Sequence, residues 1–586
     1  MKFRWLPAPA QSLLAAQLAK QFSLSPLLAQ CLVNRQLDQP EVITGFLEPR
    51  LKHLADPFLL AGMELAVERL FQAREQGEMV VIFGDYDVDG VTSTALLLEF
   101  LRGLGWKAEY YLPHRLEEGY GLTIDAVERC LRKTPTQLLI AVDCGSTSVE
   151  CIEVLKGRGI DVIVVDHHQP SDQLPRAFAL INPQIRREPC SGSNADSSND
   201  WGNRAFTELC SVGLAFKLAH ALLKRGRQAN LSWAAEYDLR PLLELVALGT
   251  VADLVPLRNE NRILVSAGLE RLTRTERPGL VALKRVARAS SRMGVYEVGF
   301  HLAPRLNAAG RLETAQEALE LLLSGDMTDA MTRAERLDAR NRDRQQLERA
   351  IANSVIGQVQ AKFKPEEDFV IVEGAMQWHV GVVGIVASRV LHRFNRPTVI
   401  VGGDGVEWRG SGRSIAGFDL AAALGECADL LVRHGGHAMA AGLTIQRDNI
   451  DGFRTRLNEV ARRRLKLEEL FPSLRLDSEV GLQEMSLDCL THLGRLNPMG
   501  QGNPPVHFYS RNLVHQRPLQ RMGAEKQHVK MWVTDGAVTR EAVWFGAGNE
   551  SLPVGRYDLA FAPQLNEHNG ERIVQLKVLD WRPAAQ

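Results

Sequence analysis

Apolar and polar positions follow two different rhythms along this chain. In its early part, short apolar runs break off at an aspartate: MVVIFGDYDVDG (Met79 to Gly90), LLIAVDCG (Leu138 to Gly145) and DVIVVDHH (Asp161 to His168). Each run is rich in β-branched residues and lies between helical segments, the pattern of central strands in a parallel sheet buried on both faces. Such a sheet binds its ligands beyond the carboxyl ends of its strands. Asp87, Asp89, Asp143, Asp166, His167 and His168 are therefore expected to converge although they are far apart in sequence. A fourth run, LLELVALGTVADLVPL, reads as an apolar helix ending at Gly249 and leading to Asp253 in a loop.

The rhythm then changes. From Asp329 to Phe363 there is no proline and no glycine before Gly357, while Leu347, Ile351 and Val355 share one face, predicting one long helix of about 50 Å. A second α/β segment follows, with strands in DFVIVEG and PTVIVGG and the glycine-rich stretch RHGGHAMAAG (Arg433 to Gly442). Beyond it, VHFYSRNLV, HVKMWVTDG, EAVWFGAG and LNEHNGERIVQLKVL read as short strands and a hairpin of a small closed barrel. The expected organisation is an α/β, two-lobed chain: a helical extension (1–55), a parallel-sheet catalytic domain (56–328), the connecting helix (329–363), a smaller α/β domain (364–466) and an OB-type barrel (467–586). The polar stretch Cys190 to Asn203 reads as a surface insertion.

Composition narrows the setting. At 586 residues the chain exceeds what one core supports, and a net charge of −1 offers no global sign of nucleic-acid binding, so any basic surface is local. The eight cysteines form no C-x-x-C pair, which fits a reducing cytoplasm. The basic N-terminal tip precedes Pro7, Pro9, Gln11, Gln17 and Lys20, leaving no uninterrupted signal-peptide core, and no membrane span is predicted.

Asp85, Asp87 and Asp89 at alternate positions repel one another and call for a cation. A single aspartate after a strand is usually a turn former or helix cap. Three strand-end clusters beside histidines instead suit hard divalent ions, Mg²⁺ or, with imidazole present, Mn²⁺, in the number two ions require. No thiol is expected to take part, and the thiol of Cys144 beside Asp143 is read as a bystander.

In order, DYDVDG, VDCG, DHH and GTVADLVPL resemble the DHH phosphoesterase superfamily. GYGL, PRLNAAGR and GGHAMAAG make the chain similar to its RecJ family of single-stranded-DNA exonucleases, with DHH and DHHA1 domains and a C-terminal OB-fold. The resemblance implies that Asp87 and Asp89 bind different ions, that Asp143 bridges them, and that His167 and Asp253 are further ligands. Asp85 and Asp166 support the ligands, and His168 faces the substrate phosphate. Where smaller members carry a histidine four residues before the first metal aspartate, this chain has Phe83. The implied reaction is two-metal hydrolysis of phosphodiesters, 5′ to 3′, releasing 5′-mononucleotides in DNA repair and recombination. Single-strand-binding protein and a RecQ-type helicase are implied partners of a monomer. A phosphoesterase for short oligonucleotides or small molecules, and a non-catalytic scaffold, are the competing readings.

Substrate contacts are expected from Arg115 and Tyr120 in PHRLEEGYGL, from Arg305, Asn307 and Arg311 in PRLNAAGR, and from Arg413, Ser414, Gly435, Gly436 and His437, where glycines open backbone N–H groups to an anion. The basic run Arg271 to Arg292 either tracks phosphates or is a solvated helical face. Phe508, Tyr509, Trp532 and Trp544 are either stacking platforms or barrel core. Every expected metal ligand precedes residue 260, so the barrel is expected to be dispensable for chemistry.

Overall fold

The computed structural model describes residues 3–114, 118–119, 121–185, 206–403, 405–548, 550–568 and 571–584. The expected insertion at Cys190 to Asn203 lies outside them, as do Arg115 and Tyr120. The extension is not wholly helical: strand β1 (Arg4–Pro7) comes first, followed by the helices Ser12–Phe22, Pro26–Asn34 and Pro40–Leu47. Internal contacts divide the chain into two units, residues 39–342 with 496–504, and residues 1–38, 343–495 and 505–586.

The first unit is built on β2 (Met79–Phe83), β3 (Lys107–Tyr111), β4 (Leu138–Val142), β5 (Asp161–Val165) and β6 (Ala179–Ile181). These form a parallel sheet in the order β3-β2-β4-β5-β6. The continuous apolar runs have a simple cause. Val80, Ile82, Leu138, Ile140, Val142, Ile163 and Val165 enter the core on one face, whereas Val81, Phe83, Leu139, Ala141, Val162 and Val164 enter the core on the other. Each such aliphatic side chain contributes about 1.5–3 kcal/mol by leaving water. Phe83, completely buried, stacks on Tyr111 with centroids 5.5 Å apart, so it serves the sheet and offers no metal donor.

A segment from far along the chain completes this unit. Arg262, 2 % exposed, donates to the carbonyls of Phe46, Leu496 and Asn497 at 2.7, 3.0 and 2.7 Å, and Leu257 N–H donates to Gln501 O at 2.8 Å. Buried cations need such acceptors. The long helix is present as Met327–Lys362, and the division between units falls within it.

In the second unit, β7 (Ile371–Met376), β8 (Thr398–Gly403), β9 (Glu407–Arg413), β10 (Leu431–His437) and β11 (Ala440–Gln446) form a mixed sheet in the order β10-β11-β9-β8-β7. β12 (Ser473–Leu476) pairs in parallel with β1. The barrel contains β13 (Ser478–Glu479), β14 (Phe508–His515), β15 (Gln520–Met522), β16 (His528–Thr534), β17 (Thr539–Trp544), β18 (Tyr557–His568) and β19 (Glu571–Pro583). A β14–β16 pairing closes five of the strands, β14-β18-β19-β17-β16, into a ring, with β13 and β15 paired outside it. Phe508, Tyr509 and Trp544 are buried core residues, whereas Trp532 is half-buried between Arg517 and Lys530, 5.3 and 5.2 Å from its ring. Among the described residues no helix is long and apolar enough to cross a membrane.

Candidate metal centre

The strand-end residues do meet. After β2 the chain turns so that Asp87 caps the Val88–Gly103 helix, its Oδ1 accepting from the N–H groups of Asp89 and Gly90 at 2.9 and 3.1 Å. The modest capping role and the site role thus coexist in one side chain. Gly90 is required by close approach, because a Cβ there would lie 2.6 Å from Asp85 O. Asp89, one residue into the helix, is 1 % exposed and pinned by the first turn of the Ser211–Gln228 helix. Its Oδ2 accepts from Ser211 N–H at 2.7 Å and its Oδ1 from Val212 N–H at 2.8 Å, a carboxylate held by a helix N-terminus.

Asp143 leaves β4 with φ +63°, a strained conformation worth about 1–3 kcal/mol that aspartate tolerates better than most residues. Its Oδ1 accepts from Ser211 Oγ at 2.9 Å and lies 3.5 Å from His167 Nε2. The same nitrogen is 3.5 Å from Asp253 Oδ2 and 3.9 Å from Asp89 Oδ2. His167 therefore stands at the centre of three carboxylates from three separate elements. Donor atoms fall into three groups, each within 4.8 Å: Asp143, His167 and His168; Asp85, Asp87 and Asp143; Asp89, Cys210 and Asp253. Asp143 belongs to two of them, as a bridging residue would. Asp85, expected as a supporting residue, sits among the donors. Cys210 lies among the potential donors, although no thiol was expected to take part.

The electrostatics of the cluster favour bound cations. Burial, and then the neighbouring carboxylates, push Asp89, Asp143 and Asp253 above the usual carboxylate range. His167 is lowered to about 4 by burial and by His168, so it is neutral and able to donate a lone pair. His167 Nε2 and Asp253 Oδ2 are buried atoms without a hydrogen-bond partner. Orphaned donors among mutually repelling carboxylates fit divalent cations, and this set of oxygens and one imidazole suits Mn²⁺ or Mg²⁺.

His168 behaves oppositely. Burial opposes its charge, yet the contact of its Nδ1 with Asp166 Oδ1 at 2.8 Å raises it to about 9. Burial acts upward on Asp166 too, but His168 and Ser146 leave it well below the usual range, with Ser146 N–H donating to Oδ2 at 3.0 Å. Buried Asn182 donates to Ser146 Oγ and to His168 O, both at 2.8 Å, fixing the pair. Sequence reasoning missed Ser146, Asn182 and Ser211. A small polar residue after a strand or at a helix start carries no distinguishing pattern.

The PRLNAAGR motif forms the Ala303–Leu312 helix against the metal loop; a Cβ on Gly310 would lie 2.5 Å from Tyr86 O. Asn307 Oδ1 accepts from Val88 N–H at 3.2 Å, so it braces the loop that carries Asp87 and Asp89. Arg305, expected on phosphate, is ion-paired with Asp338 at 2.9 Å because a half-buried guanidinium requires an acid. Arg311 lies in the last turn of this helix. The preceding π-helical turn Glu297–Leu302 presents a ring pair that sequence reasoning also missed: Tyr296 and Phe300 are 62 % and 70 % exposed, with centroids 4.9 Å apart.

In the second unit the glycine-rich motif is a hairpin rather than a turn. Gly435, Gly436 and His437 on β10 pair with Gly442, Ala441 and Ala440 on β11, and a Cβ on Gly436 would lie 2.5 Å from Ala440 O. Ala440 also pairs with Arg413 on β9, which places Arg413 and His437 at one end of the sheet. Ser414, expected on substrate, is buried, its Oγ donating to Phe418 O at 2.7 Å, because a hydroxyl at that depth must find a partner inside its own loop.

Comparison with known proteins agrees with this geometry. Residues 79–250 match the DHH family, N-terminal domain; residues 367–463 match the DHHA1 domain; and residues 476–580 match the RecJ OB domain. The chain is 37 % identical to the single-stranded-DNA-specific exonuclease RecJ of Bacillus subtilis (strain 168), over 99 % of this chain and 71 % of that one. It is likewise 37 % identical to the RecJ of Dickeya dadantii (strain 3937), covering 95 % and 96 %. The crystal structure of RecJ in complex with Mn²⁺ from Thermus thermophilus superposes with a TM-score of 0.83 at 27 % identity, covering 100 % of this chain and 80 % of that one. The Mg²⁺ complex of the same protein gives 0.77 at 26 % identity, covering 100 % and 79 %.

Proposed function

The chain belongs to the RecJ family of single-stranded-DNA-specific exonucleases, and on that premise we propose that it hydrolyses single-stranded DNA from the 5′ end, releasing 5′-mononucleotides. The observation that carries this reading is the gathering of Asp87, Asp89, Asp143, His167 and Asp253 into adjoining donor groups, with Asp143 shared between two of them. Two divalent ions, Mn²⁺ or Mg²⁺, supply a positive clamp on the phosphodiester and acidify water for attack. The residues do the remainder. Asp87 and Asp89 hold separate sides of the centre, Asp143 joins them, and neutral His167 gives a nitrogen donor.

His168 is the charged partner for substrate: as an imidazolium held by Asp166 it donates to a phosphate oxygen and neutralises its charge. Ser211 Oγ and the helix N–H groups on Asp89 fix two carboxylates before substrate arrives, so little reorganisation is needed at the reacting phosphate. The strand is held by Arg115, Tyr120 and Arg311, and in the second unit by Arg413, Gly435, Gly436 and His437. Tyr296 and Phe300 are added as a stacking platform, with the exposed Arg288 and Arg292 preceding them in the chain. Single-strand-binding protein and a RecQ-type helicase are the proposed partners, the cytoplasm the proposed location and a monomer the proposed state.

The test offers 5′-end-labelled and 3′-end-labelled long single strands, a dinucleotide and a metal-free control. Early release of the 5′ label as a mononucleotide, dependent on Mn²⁺ or Mg²⁺, is the expected result. Preference for the dinucleotide, or early release of the 3′ label, overturns the reading.

A further inference from the structure

Cys210 is the residue at this centre that the family reading does not use. Among the described residues it is the one cysteine grouped with two candidate ligand carboxylates, an atom of each of Asp89, Cys210 and Asp253 lying within 4.8 Å of the others. His167 Nε2 stands 3.9 Å from Asp89 Oδ2 and 3.5 Å from Asp253 Oδ2. Two carboxylates and a thiol form one group, with the imidazole of His167 beside the same two carboxylates, a mixture of donor types that zinc accepts. Across a tetrahedron built from ordinary zinc bond lengths, donors stand about 3.3–3.8 Å apart. The His167 spacings to Asp89 and Asp253 fall at or near that range.

We propose that the Asp89–Asp253 half of the metal centre is a mixed oxygen, nitrogen and sulfur site, in which Cys210 supplies a thiolate to thiophilic divalent ions such as Zn²⁺ and Cd²⁺. The proposal rests on the metal reading above for where the ion sits, and adds which ion that half prefers. Three observations support it. Asp253 Oδ2 and His167 Nε2 are buried without hydrogen-bond partners, so the arrangement has open donors aimed at one point. Cys210 occupies the N-cap of the Ser211–Gln228 helix, where the helix dipole favours a thiolate. Its sulfur contacts Thr250 Oγ1 at 3.5 Å, the Gly213 N–H and the carboxylate of Asp89, all of them weak sulfur hydrogen bonds that a metal bond can replace.

Binding through sulfur exchanges S–H for S–metal and sends one proton to solvent per sulfur-bound ion. Mn²⁺ and Mg²⁺, which prefer oxygen, bind through the carboxylates and leave the thiol intact. The physical consequence is selectivity: Zn²⁺ and Cd²⁺ displace Mn²⁺ from this half and hold a closed geometry unsuited to turnover.

The test uses the full chain stripped of metal, as parent, Cys210→Ala and Cys210→Ser, with folding checked by thermal unfolding. Co²⁺ is titrated as a spectroscopic probe, with bound cobalt measured by equilibrium dialysis. The parent should develop a sulfur-to-cobalt charge-transfer band in the near ultraviolet that both variants lack. Zn²⁺ affinity should fall at least about tenfold in Cys210→Ala while Mn²⁺ affinity moves by less than about threefold. Zinc binding to the parent should release one more proton than binding to the variant. Bound cobalt without a sulfur band, or a band retained in Cys210→Ala, overturns the proposal and leaves the metal reading standing. A parent that binds neither Co²⁺ nor Mn²⁺ overturns both.

Discussion

The strand-end cluster of the first unit and the glycine hairpin of the second were both conspicuous in the sequence, but their geometries speak to function with unequal directness. Carboxylates have few reasons to gather in a buried place, since each raises the cost of charging the next. Their convergence around His167 therefore carries chemical meaning on its own. Glycines have many reasons to be where they are. Gly436 is needed simply so that two strands pass closely, and His437 becomes one residue of a paired strand. Residues that are expensive to bury thus report a site more directly than residues that merely permit close approach.

Mutations can break or sharpen this contrast. The largest effect is expected from Asp143→Ala: turnover should fall by more than about a hundredfold with Mg²⁺ and with Mn²⁺, and circular dichroism should be unchanged. Residual activity above that level would mean that the cluster does not act as a unit. His168→Gln should lower kcat about tenfold or more with little change in Mn²⁺ affinity measured by calorimetry, separating the phosphate-facing histidine from its ligand neighbour. In the second unit, Arg413→Ala should raise KM on long single strands several-fold and lower the salt slope of binding by about one unit, with kcat on a dinucleotide unchanged. An unchanged slope would leave the hairpin as scaffold. The smallest effect is expected from Ser211→Ala, which removes one hydrogen bond to Asp143 with a net worth of about 0.5–1.5 kcal/mol. Its Mn²⁺ affinity should drop by about tenfold or less, with the Asp89 contacts retained because they are made by backbone.

The sequence made the first unit largely legible because β2, β4 and β5 are buried on both faces and so must be apolar throughout, and because each ends at a carboxylate. β3 went unread: as an edge strand it carries Lys107 and Glu109 among its tyrosines. Arg305 was misassigned because a guanidinium in a glycine-rich context looks the same whether it meets a phosphate or Asp338. Phe508, Tyr509 and Trp544 went to the barrel core, as large rings usually do, which leaves Trp532 as the candidate for stacking there. Cys210 and Ser211 carried no pattern at all; their significance comes from the helix start that brings them to Asp89 and Asp143.

Leu496 to Pro504 are seated in the metal-bearing unit, so removing the C-terminal part also removes a piece of that unit. A chain ending near Glu468 would strip Arg262 of the carbonyls of Leu496 and Asn497, and Leu257, four residues past Asp253, of its acceptor at Gln501. The consequence reaches into synthesis on the ribosome. The metal unit is complete only after the chain between Arg342 and Leu496, about 150 residues, has also emerged. At about 5–20 residues per second that interval is roughly 8–30 s. Throughout it the nascent metal unit exists with Arg262 short of its partners, and the cell makes this nuclease site whole only when little more than the barrel remains to be translated.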